Sequence, residues 1–345
     1  MNEESTNVAE NQEQEYYEHY HFNVDNGQEP LRIDKFLFNR IEKISRNKIQ
    51  IAAKAGSILV NQKAVKANYK VKPTDDISIV MAEPPRFYEL VPEKLPLEIV
   101  YEDDDLIIIN KQSGLVVHPG YGNYSGTLVH GLLYHFSELP DPDETKIRPG
   151  LVHRIDKNTT GLMVVAKNDF AMTHLANQFF EHSIDRTYVA LVWGNLEKDK
   201  GTIKGHIGRS QKDRKVFTVY EDGEKGKSAI THYKVLQRFS YTTLVECTLE
   251  TGRTHQIRVH MKYMGHPLFN DDFYGGDRIV KGYNQSKFKQ FISNCFKIMP
   301  RQALHARTLN FDHPVSGKRM KFDIELPADF TQVIERWDTY ISALK

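Results

Sequence analysis

The chain has 345 residues, of which 40% are hydrophobic and 26% are charged, and this composition excludes a wholly disordered or fibrous protein. The net charge of +1 favours no particular partner, the two cysteines are too few for a disulfide framework or a zinc site, and no apolar run reaches the length of a membrane span. We therefore expect a soluble, cytoplasmic, monomeric protein that holds no metal and does not contact a membrane.

The charge is distributed unevenly along the chain. Residues 1–30 hold eight of the 45 acidic residues and none of the 46 basic residues, so the rest of the chain is cationic. Residues 1–28 are rich in Glu, Asn and Gln, and only Phe22-Asn23-Val24 in this segment resembles a strand. This composition predicts a disordered acidic tail over residues 1–28.

A small basic module follows the tail at residues 29–82. The apolar spacing from Leu31 to Ile41 predicts a first helix, and Ser45 is a capping candidate for a second helix that ends before Gly56. Short strand-like segments separated by polar turns complete the module. Residues 31–82 contain eleven Lys and Arg against four Asp and Glu, so most of the positive charge of the chain is concentrated here.

The prolines between residues 84 and 96 predict a stiff linker, which we place at residues 83–97. Beyond it, residues 98–345 combine many strands with few helices. Strands are predicted at 98–102, 105–110, 162–166, 188–192, 229–236, 243–249 and 318–324, and helices at 128–136, 170–180 and from Phe330 to the C-terminus. Because consecutive strands lack intervening helices, we predict an α+β domain with a mainly antiparallel mixed sheet.

The segment richest in chemical information is His153-Arg154-Ile155-Asp156, which interrupts an apolar run shortly before Gly161. A carboxylate at the end of a strand, two residues from an arginine, can be held ionised and aimed as a nucleophile. The alternative is that Asp156 caps a turn while Arg154 forms a surface ion pair, since aspartates in loops commonly stabilise turns.

A second segment ends one predicted strand and begins a helix with Arg253, His255, Arg258 and His260. Arg258 could supply a bidentate partner that lowers the pKa of the Asp156 carboxyl, and Arg253 competes for the same role. A solvated basic face and a phosphate site are alternatives. A metal site through the two histidines would need further ligands, and no residue at suitable spacing completes the set.

Other polar residues flank predicted strands. Lys111 and His118 enclose a Gly-containing loop, Arg186-Thr187-Tyr188 opens a strand, and Asp271-Asp272-Phe273-Tyr274-Gly275 forms a loop. For Tyr188, packing in the core and contact with a substrate ring are both consistent with the sequence.

Several motifs together resemble those of the RluA-type pseudouridine synthases, in order and at the family's spacing over residues 90–330. They are the segment from His153 to Leu162, the segment from Arg253 to His260 with Gly265-His266-Pro267, and Leu304-His305-Ala306 with Phe311-Asp312-His313-Pro314. Residues 31–82 resemble the S4-like RNA-binding module that precedes the catalytic domain in the large-subunit members. The resemblance implies a pseudouridine synthase fold at residues 98–345 behind an S4-like RNA-binding domain at 29–82.

The resemblance also implies roles for individual residues. Asp156 would be the catalytic nucleophile, Tyr188 would pack on the uracil and assist proton removal, and Arg258 would be the ion-pair partner of Asp156. Arg154 would enter the RNA stack as the target base leaves. We expect substrate binding by His153, Arg154, Arg253, His255, Lys111 and His118, and RNA contacts in the S4-like module from Arg32, Lys35, Arg46, Lys48 and Lys63.

The implied reaction converts specific uridines in RNA to pseudouridine without a cofactor. Large-subunit (23S) ribosomal RNA, free or in a pre-ribosomal particle, is favoured over transfer RNA because of the added RNA-binding module. Two other functions compete: a catalytically idle RNA-binding or ribosome-assembly factor, and a nucleic-acid glycosidase. The complete set of Asp156, Tyr188 and Arg258 argues against the first, and the second would need a further acid and a path for water.

Overall fold

In the computed structural model the chain forms two compact units, Met1–Phe87 and Tyr88–Lys345, each with its own hydrophobic core. The structure describes residues 17–41, 44–81, 90–119, 123–136, 149–210, 213, 216–221, 223 and 225–343. Within these residues, no helix is long and apolar enough to cross a membrane.

The first unit combines short strands with two helices. Its elements are β1 Tyr17–Asn23, β2 Leu31–Arg32, α1 Ile33–Phe38, α2 Arg46–Lys54, β3 Ile58–Val60, β4 Lys63–Ala64, β5 Lys70–Val71 and β6 Asp76–Met81. Four strands form an antiparallel sheet in the order β1-β6-β3-β4, and β2 pairs with β5. The α2 helix begins at the predicted cap, because the Ser45 hydroxyl accepts a hydrogen bond from the Lys48 backbone N–H at 3.3 Å.

The prediction of a disordered tail is wrong for residues 17–23, which form strand β1 against β6. Tyr20 and Phe22 lie two residues apart and their rings stack at 6.4 Å, while Phe22 also meets Phe36 of α1 edge-on. Aromatic residues at alternate positions favour a strand, and the acidic average of the segment concealed this local pattern. Residues 1–16 lie outside the described residues.

A buried carboxylate joins the two helices of the first unit. Asp34 of α1 is fully buried and accepts hydrogen bonds from Arg32, Arg46 and Gln50. Burial raises the pKa of Asp34, but these hydrogen bonds outweigh it and hold the pKa well below its usual range. The two arginines predicted to contact RNA therefore stabilise the unit. The three lysines of that set are exposed and pair with no carboxylate among the described residues: Lys35, Lys48 and Lys63.

The second unit is built on a ten-stranded sheet. Its elements are β7 Ile99–Glu102, β8 Leu106–Lys111, α3 Leu128–His135, β9 Thr160–Ala166, α4 Asp169–Phe180, β10 Asp185–Trp193, β11 Lys200–Arg209, β12 Phe217–Tyr220, β13 Lys227–Arg238, β14 Thr242–Leu249, α5 Gln256–Tyr263, α6 Ser286–Ile298, β15 Leu304–Asp312, β16 Arg319–Asp323 and α7 Ala328–Ser342. The strand order is β12-β11-β13-β14-β10-β15-β9-β8-β7, with β16 paired to β15. The prediction of an α+β unit with a mainly antiparallel sheet is confirmed.

Strand β10 is buried on both faces of this sheet. Tyr188, Ala190 and Val192 join one apolar cluster, which includes residues of α3 and α5, and the alternating residues from Val189 to Trp193 join another, which includes residues of α6 and α7. Side chains of a strand alternate between faces, so this apolar run fills two cores at once. Helix α4 packs with β8 and β9 in a further cluster.

The loop that precedes β9 ends where β9 pairs with another strand in parallel orientation. Strand β9 runs parallel to β15, with Thr160 opposite His305 and Gly161 opposite Ala306. Gly161 has a φ of +116°, and a Cβ on it would lie 2.2 Å from the Ala306 carbonyl oxygen. Only glycine permits this close approach, which fixes the end of the 152–159 loop against the sheet.

Part of the predicted linker is packed on the second unit. Residues 90–98 have no regular secondary structure, yet the Glu93 backbone N–H donates to the His130 carbonyl of α3 at 3.0 Å. Leu95 lies against Gly131 of the same helix. Residues 82–89 lie outside the described residues.

Candidate active site

A cleft of about 430 Å³ opens where the loop before β9, the start of β10 and the start of α5 meet. It brings together most of the residues that the sequence predicts for the site. Its lining includes His153, Arg154, Asp156, Tyr188, Arg253, His255 and Arg258, which come from three separate parts of the chain. Asp156 is the only carboxylate among the described residues that line it.

Arg258 bridges two aspartates at the base of this cleft. Its Nη1 donates to Asp156 Oδ2 at 3.0 Å, while its Nε and Nη2 donate to the two oxygens of Asp271 at 2.8 and 2.9 Å. Burial lowers the pKa of Arg258, but the hydrogen bonds and charge of Asp271, followed by those of Asp156, raise it far above its usual range. Arg258 is therefore a permanent cation that holds one oxygen of Asp156.

Arg253 does not compete for Asp156. Its Nε donates to the Ser228 carbonyl at 2.9 Å, and its backbone N–H donates to Gln256 Oε1 at 2.9 Å. The guanidinium group lines the cleft without a carboxylate partner among the described residues. Of the two arginines that the sequence left open, Arg258 is the one paired with Asp156.

His255 faces the second oxygen of Asp156. Its Nε2 lies 3.9 Å from Asp156 Oδ1, and its Nδ1 lies 2.8 Å from the Tyr274 hydroxyl. That hydroxyl accepts the Phe217 backbone N–H at 3.2 Å, and its own proton can bond Nδ1. Burial lowers the pKa of His255, and the nearby Asp156 charge opposes this. In the tautomer that has this bond, the Nε2 proton of a neutral imidazole lies on the side of Asp156.

The buried Lys111 side chain hydrogen-bonds to the backbone of the loop that contains Asp156. It is 1% exposed, and its Nζ donates to the carbonyls of Gln112, Leu115 and Lys157 at 2.8, 2.9 and 2.9 Å. The ammonium form has one proton for each of these oxygens, although burial lowers the pKa of Lys111 to about 7. The prediction that Lys111 binds substrate is contradicted, because its protons are occupied and it does not line the cleft.

His153 attaches the same loop to strand β9. Its Nε2 accepts the Val164 backbone N–H at 3.0 Å, and its ring stacks on Phe179 at 4.6 Å. Burial, and then the charge of Arg186, lowers the pKa of His153 to about 3, so the ring stays neutral. His153 therefore lines the cleft while one of its two nitrogens is committed to the fold.

His118 and Arg154 contact each other at the cleft. Nε2 of His118 lies 3.3 Å from Nη1 of the exposed Arg154, and Nδ1 lies 2.9 Å from the Pro119 carbonyl. The guanidinium must donate, so Nε2 accepts and Nδ1 carries the proton. His118 does not line the cleft but contacts Arg154, which does.

Tyr188 lies at the start of β10 with only 8% of its surface exposed. Burial raises the pKa of its phenol; the Arg186 charge lowers it and the Asp156 charge raises it further. The group is therefore a neutral phenol in the wall of the cleft.

The sequence missed Asp271 as the second partner of Arg258. Its loop stood out as Asp271-Asp272-Phe273-Tyr274-Gly275, yet two adjacent aspartates do not reveal which one turns inward. The structure distinguishes them, since Asp271 is fully buried and Asp272 is exposed. Arg186 and the pair Phe179 and Phe180 also line the cleft without having been predicted as site residues.

Comparison with known proteins agrees with this arrangement. The chain is 45% identical, over 92% of its own length and 97% of the relative's, to an uncharacterized RNA pseudouridine synthase of Chlorobaculum parvum. The chain belongs to the RNA pseudouridylate synthase family. The family's model matches residues 105–263, and the S4 domain model matches residues 31–77. The predicted family, its isomerase activity on RNA and the S4 domain are confirmed.

One further relative supports membership of the RNA pseudouridylate synthase family. The chain is 41% identical to the ribosomal large subunit pseudouridine synthase D of Zymomonas mobilis, over 86% of this chain and 91% of that one. Among solved structures, human RNA pseudouridylate synthase domain containing 1 matches with a TM-score of 0.53 and 24% identity, covering 73% of this chain and 96% of that chain. This last similarity shows the fold.

We expect Asp271→Asn to lower kcat by about 100-fold and change KM little, because Arg258 loses the partner that orients it toward Asp156 and a small misplacement is costly. Asp272→Asn is the matched control, since Asp272 is the exposed neighbour. Steady-state pseudouridine formation measures both. Equal rates for the two variants would contradict the positioning role of Asp271.

Proposed function

We propose that the protein isomerises specific uridines of large-subunit ribosomal RNA to pseudouridine, with Asp156 as the catalytic group. The observation that carries this proposal is the Asp156 carboxylate held by Arg258 in a cleft that contains no other carboxylate among the described residues. The printed name of the Zymomonas mobilis relative supports the choice of ribosomal RNA, as does the basic S4 domain.

The reaction breaks the bond between the uracil nitrogen and the ribose, turns the uracil, and joins a ring carbon to the same ribose carbon. The carboxylate can add to the uracil, attack the ribose carbon, or stabilise a cationic sugar on the way to a glycal. Each route needs an ionised Asp156 beside the nucleoside. Because nothing is oxidised, reduced or hydrolysed, the chemistry calls for no cofactor.

The other cleft residues have roles that fit this reaction. Tyr188 offers a ring to the uracil, and His255 directs a neutral N–H toward the oxygen of Asp156 that Arg258 leaves unbound. A uridine inside RNA must first be extruded, and Arg154 at the exposed rim is suited to fill the gap. These assignments stay predictions.

A glycosidase is less consistent with the site. It would need a second carboxyl group to protonate the departing base. The nearest candidate, Asp271, is fully buried and accepts two hydrogen bonds from Arg258. Both of its oxygens are therefore engaged by Arg258, and it does not line the cleft.

The S4 domain supplies phosphate contacts that do not depend on sequence. Of the five residues that the sequence predicts for this role, Lys35, Lys48 and Lys63 are exposed and have no carboxylate partner among the described residues, whereas Arg32 and Arg46 are bound to Asp34. The cytoplasmic location and monomeric state expected from the sequence stay predictions.

We expect Asp156→Asn to abolish pseudouridine formation while RNA affinity changes little, because the amide keeps the shape of the side chain and loses its charge. Asp104→Asn, in an exposed turn, is the control. Carbodiimide labelling of a large-subunit RNA transcript detects the product. A rate within about tenfold of the wild type would remove Asp156 as the catalytic group.

Replacing Lys35, Lys48 and Lys63 together by Gln should make the salt dependence of RNA binding shallower by about 2 in the slope of log affinity against log salt. The rate of the bound complex should stay the same. Replacement of three exposed lysines of α6, Lys287, Lys289 and Lys297, is the matched control. An unchanged slope in the first variant would show that these lysines do not contact phosphates.

A further inference from the structure

Arg186 at the start of β10 is a buried cation without an anion. It is 8% exposed, it lines the cleft, and its Nε is shut off from solvent with no hydrogen-bond partner. No carboxylate within the described part of the chain lies at ion-pair distance from it. The other arginines buried to this degree are paired: Arg258 with two aspartates and Arg301 with Asp329. Buried charges are normally paired, so Arg186 calls for an anion that the described residues do not supply.

The described surroundings of Arg186 supply an aromatic ring and open space but no anion. Its guanidinium group lies 5.1 Å from the centre of the Phe179 ring, and its Nη1 would be 3.3 Å from a Cβ on Gly252. Gly252 therefore leaves room for the group to reach the loop that precedes α5. The adjacent Asp185 is paired with Arg319.

The cleft around Arg186 is electropositive. Arg154 and Arg253 line it as well, and neither pairs with a carboxylate among the described residues. Asp156 and Asp271 are already bound to Arg258. A guanidinium fork pairs best with a planar or tetrahedral group of several oxygens, and a phosphodiester is the anion that an RNA substrate carries past this cleft.

The cleft is also lined by an unusually exposed aromatic ring. Phe180, at the C-terminal end of α4, is 84% exposed. A large apolar side chain in water beside arginines matches the way that proteins hold single-stranded RNA, with bases stacked on aromatic rings and phosphates on cations. A small inorganic anion has no base to stack on this ring, so Arg186 and Phe180 together favour a nucleotide as the ligand.

We propose that Arg186 and Phe180 form a subsite for the nucleotide that flanks the target uridine. Arg186 pairs with a phosphodiester next to the extruded uridine, and Phe180 stacks on the neighbouring base. The subsite rests on the proposed function, since its ligand is the RNA substrate. The subsite holds the RNA on one side of the target uridine, while Asp156 acts on the uridine itself.

The test of Arg186 removes a positive charge from the protein and, separately, a negative charge from the RNA. A hairpin of large-subunit RNA that the wild type converts is prepared with each phosphate near the target replaced, one at a time, by a neutral methylphosphonate. At one position, we expect the methylphosphonate to raise the KM of the wild type about tenfold. The same replacement should leave the KM of Arg186→Gln unchanged, because that KM is already about tenfold higher with unmodified RNA. The rate at saturating RNA should change less than threefold.

Arg186→Lys keeps the charge without the fork and guards against a folding defect. It should show an intermediate KM and the same sensitive phosphate. Methylphosphonate penalties that are equal in the wild type and the variants, or no sensitive position at all, would overturn the subsite. A wild type that forms no pseudouridine in any RNA would instead overturn the proposed function, so the two failures are distinguishable.

The test of Phe180 compares it with a second exposed ring on the same helix. Phe170 is 60% exposed and does not line the cleft. We expect Phe180→Leu to raise KM about tenfold, Phe180→Tyr to restore it, and Phe170→Leu to leave it unchanged. An abasic nucleotide next to the target should remove the difference between Phe180→Leu and the wild type. Equal behaviour of the two leucine variants would exclude stacking on Phe180.

Discussion

The site depends on one buried guanidinium group that is shared between two carboxylates. Asp271 takes the Nε and Nη2 edge of Arg258, so only Nη1 is left for Asp156. A lone arginine can bind a carboxylate through both oxygens, whereas this arrangement binds Oδ2 and leaves Oδ1 without a hydrogen bond from Arg258. The cation thus orients the carboxylate and leaves one oxygen for the nucleoside that we propose as the substrate.

The loop that carries Asp156 is held by buried cations acting on backbone carbonyls. Lys111 binds the Lys157 carbonyl, Arg301 reaches the Asn158 carbonyl at 3.4 Å, and the Thr159 N–H closes a turn on the Asp156 carbonyl at 3.1 Å. Buried backbone oxygens need donors, and charged donors form the stronger bonds. The backbone position of Asp156 is therefore set by contacts on the residues that follow it, and Arg258 is the hydrogen-bond donor to its side chain.

The sequence predicted the parts of the molecule that depend on local pattern. Asp156 and Arg258 stood in motifs whose spacing carried the family resemblance, and the apolar periods located α3, α4 and α7. The β1 strand was indicated only at its end, by Phe22-Asn23-Val24, because its alternating aromatic rings lie in an acidic segment, and α6 and β15 were not identified as elements. Local composition does not report a partner strand that lies more than fifty residues away.

The roles of individual side chains were harder to predict, because the charge of a residue does not show which groups it contacts in the folded protein. Lys111 lies in a segment suited to substrate binding, yet its depth turns it toward backbone oxygens. Arg32 and Arg46 belong to a basic module and are nevertheless bound to Asp34. Arg186 stood in the segment Arg186-Thr187-Tyr188, but its burial without a partner is a property of the folded cleft that the sequence does not show.

The most direct test of the shared guanidinium is the rate of pseudouridine formation by Arg258→Lys at saturating RNA. A lysine beside two carboxylates can supply the positive charge but has no fork to hold Asp271 and Asp156 together. We expect a loss of about 100-fold or more in this rate, with RNA affinity unchanged. A rate within about threefold of the wild type would contradict it, because charge alone would then suffice and the geometry of the bridge would be irrelevant.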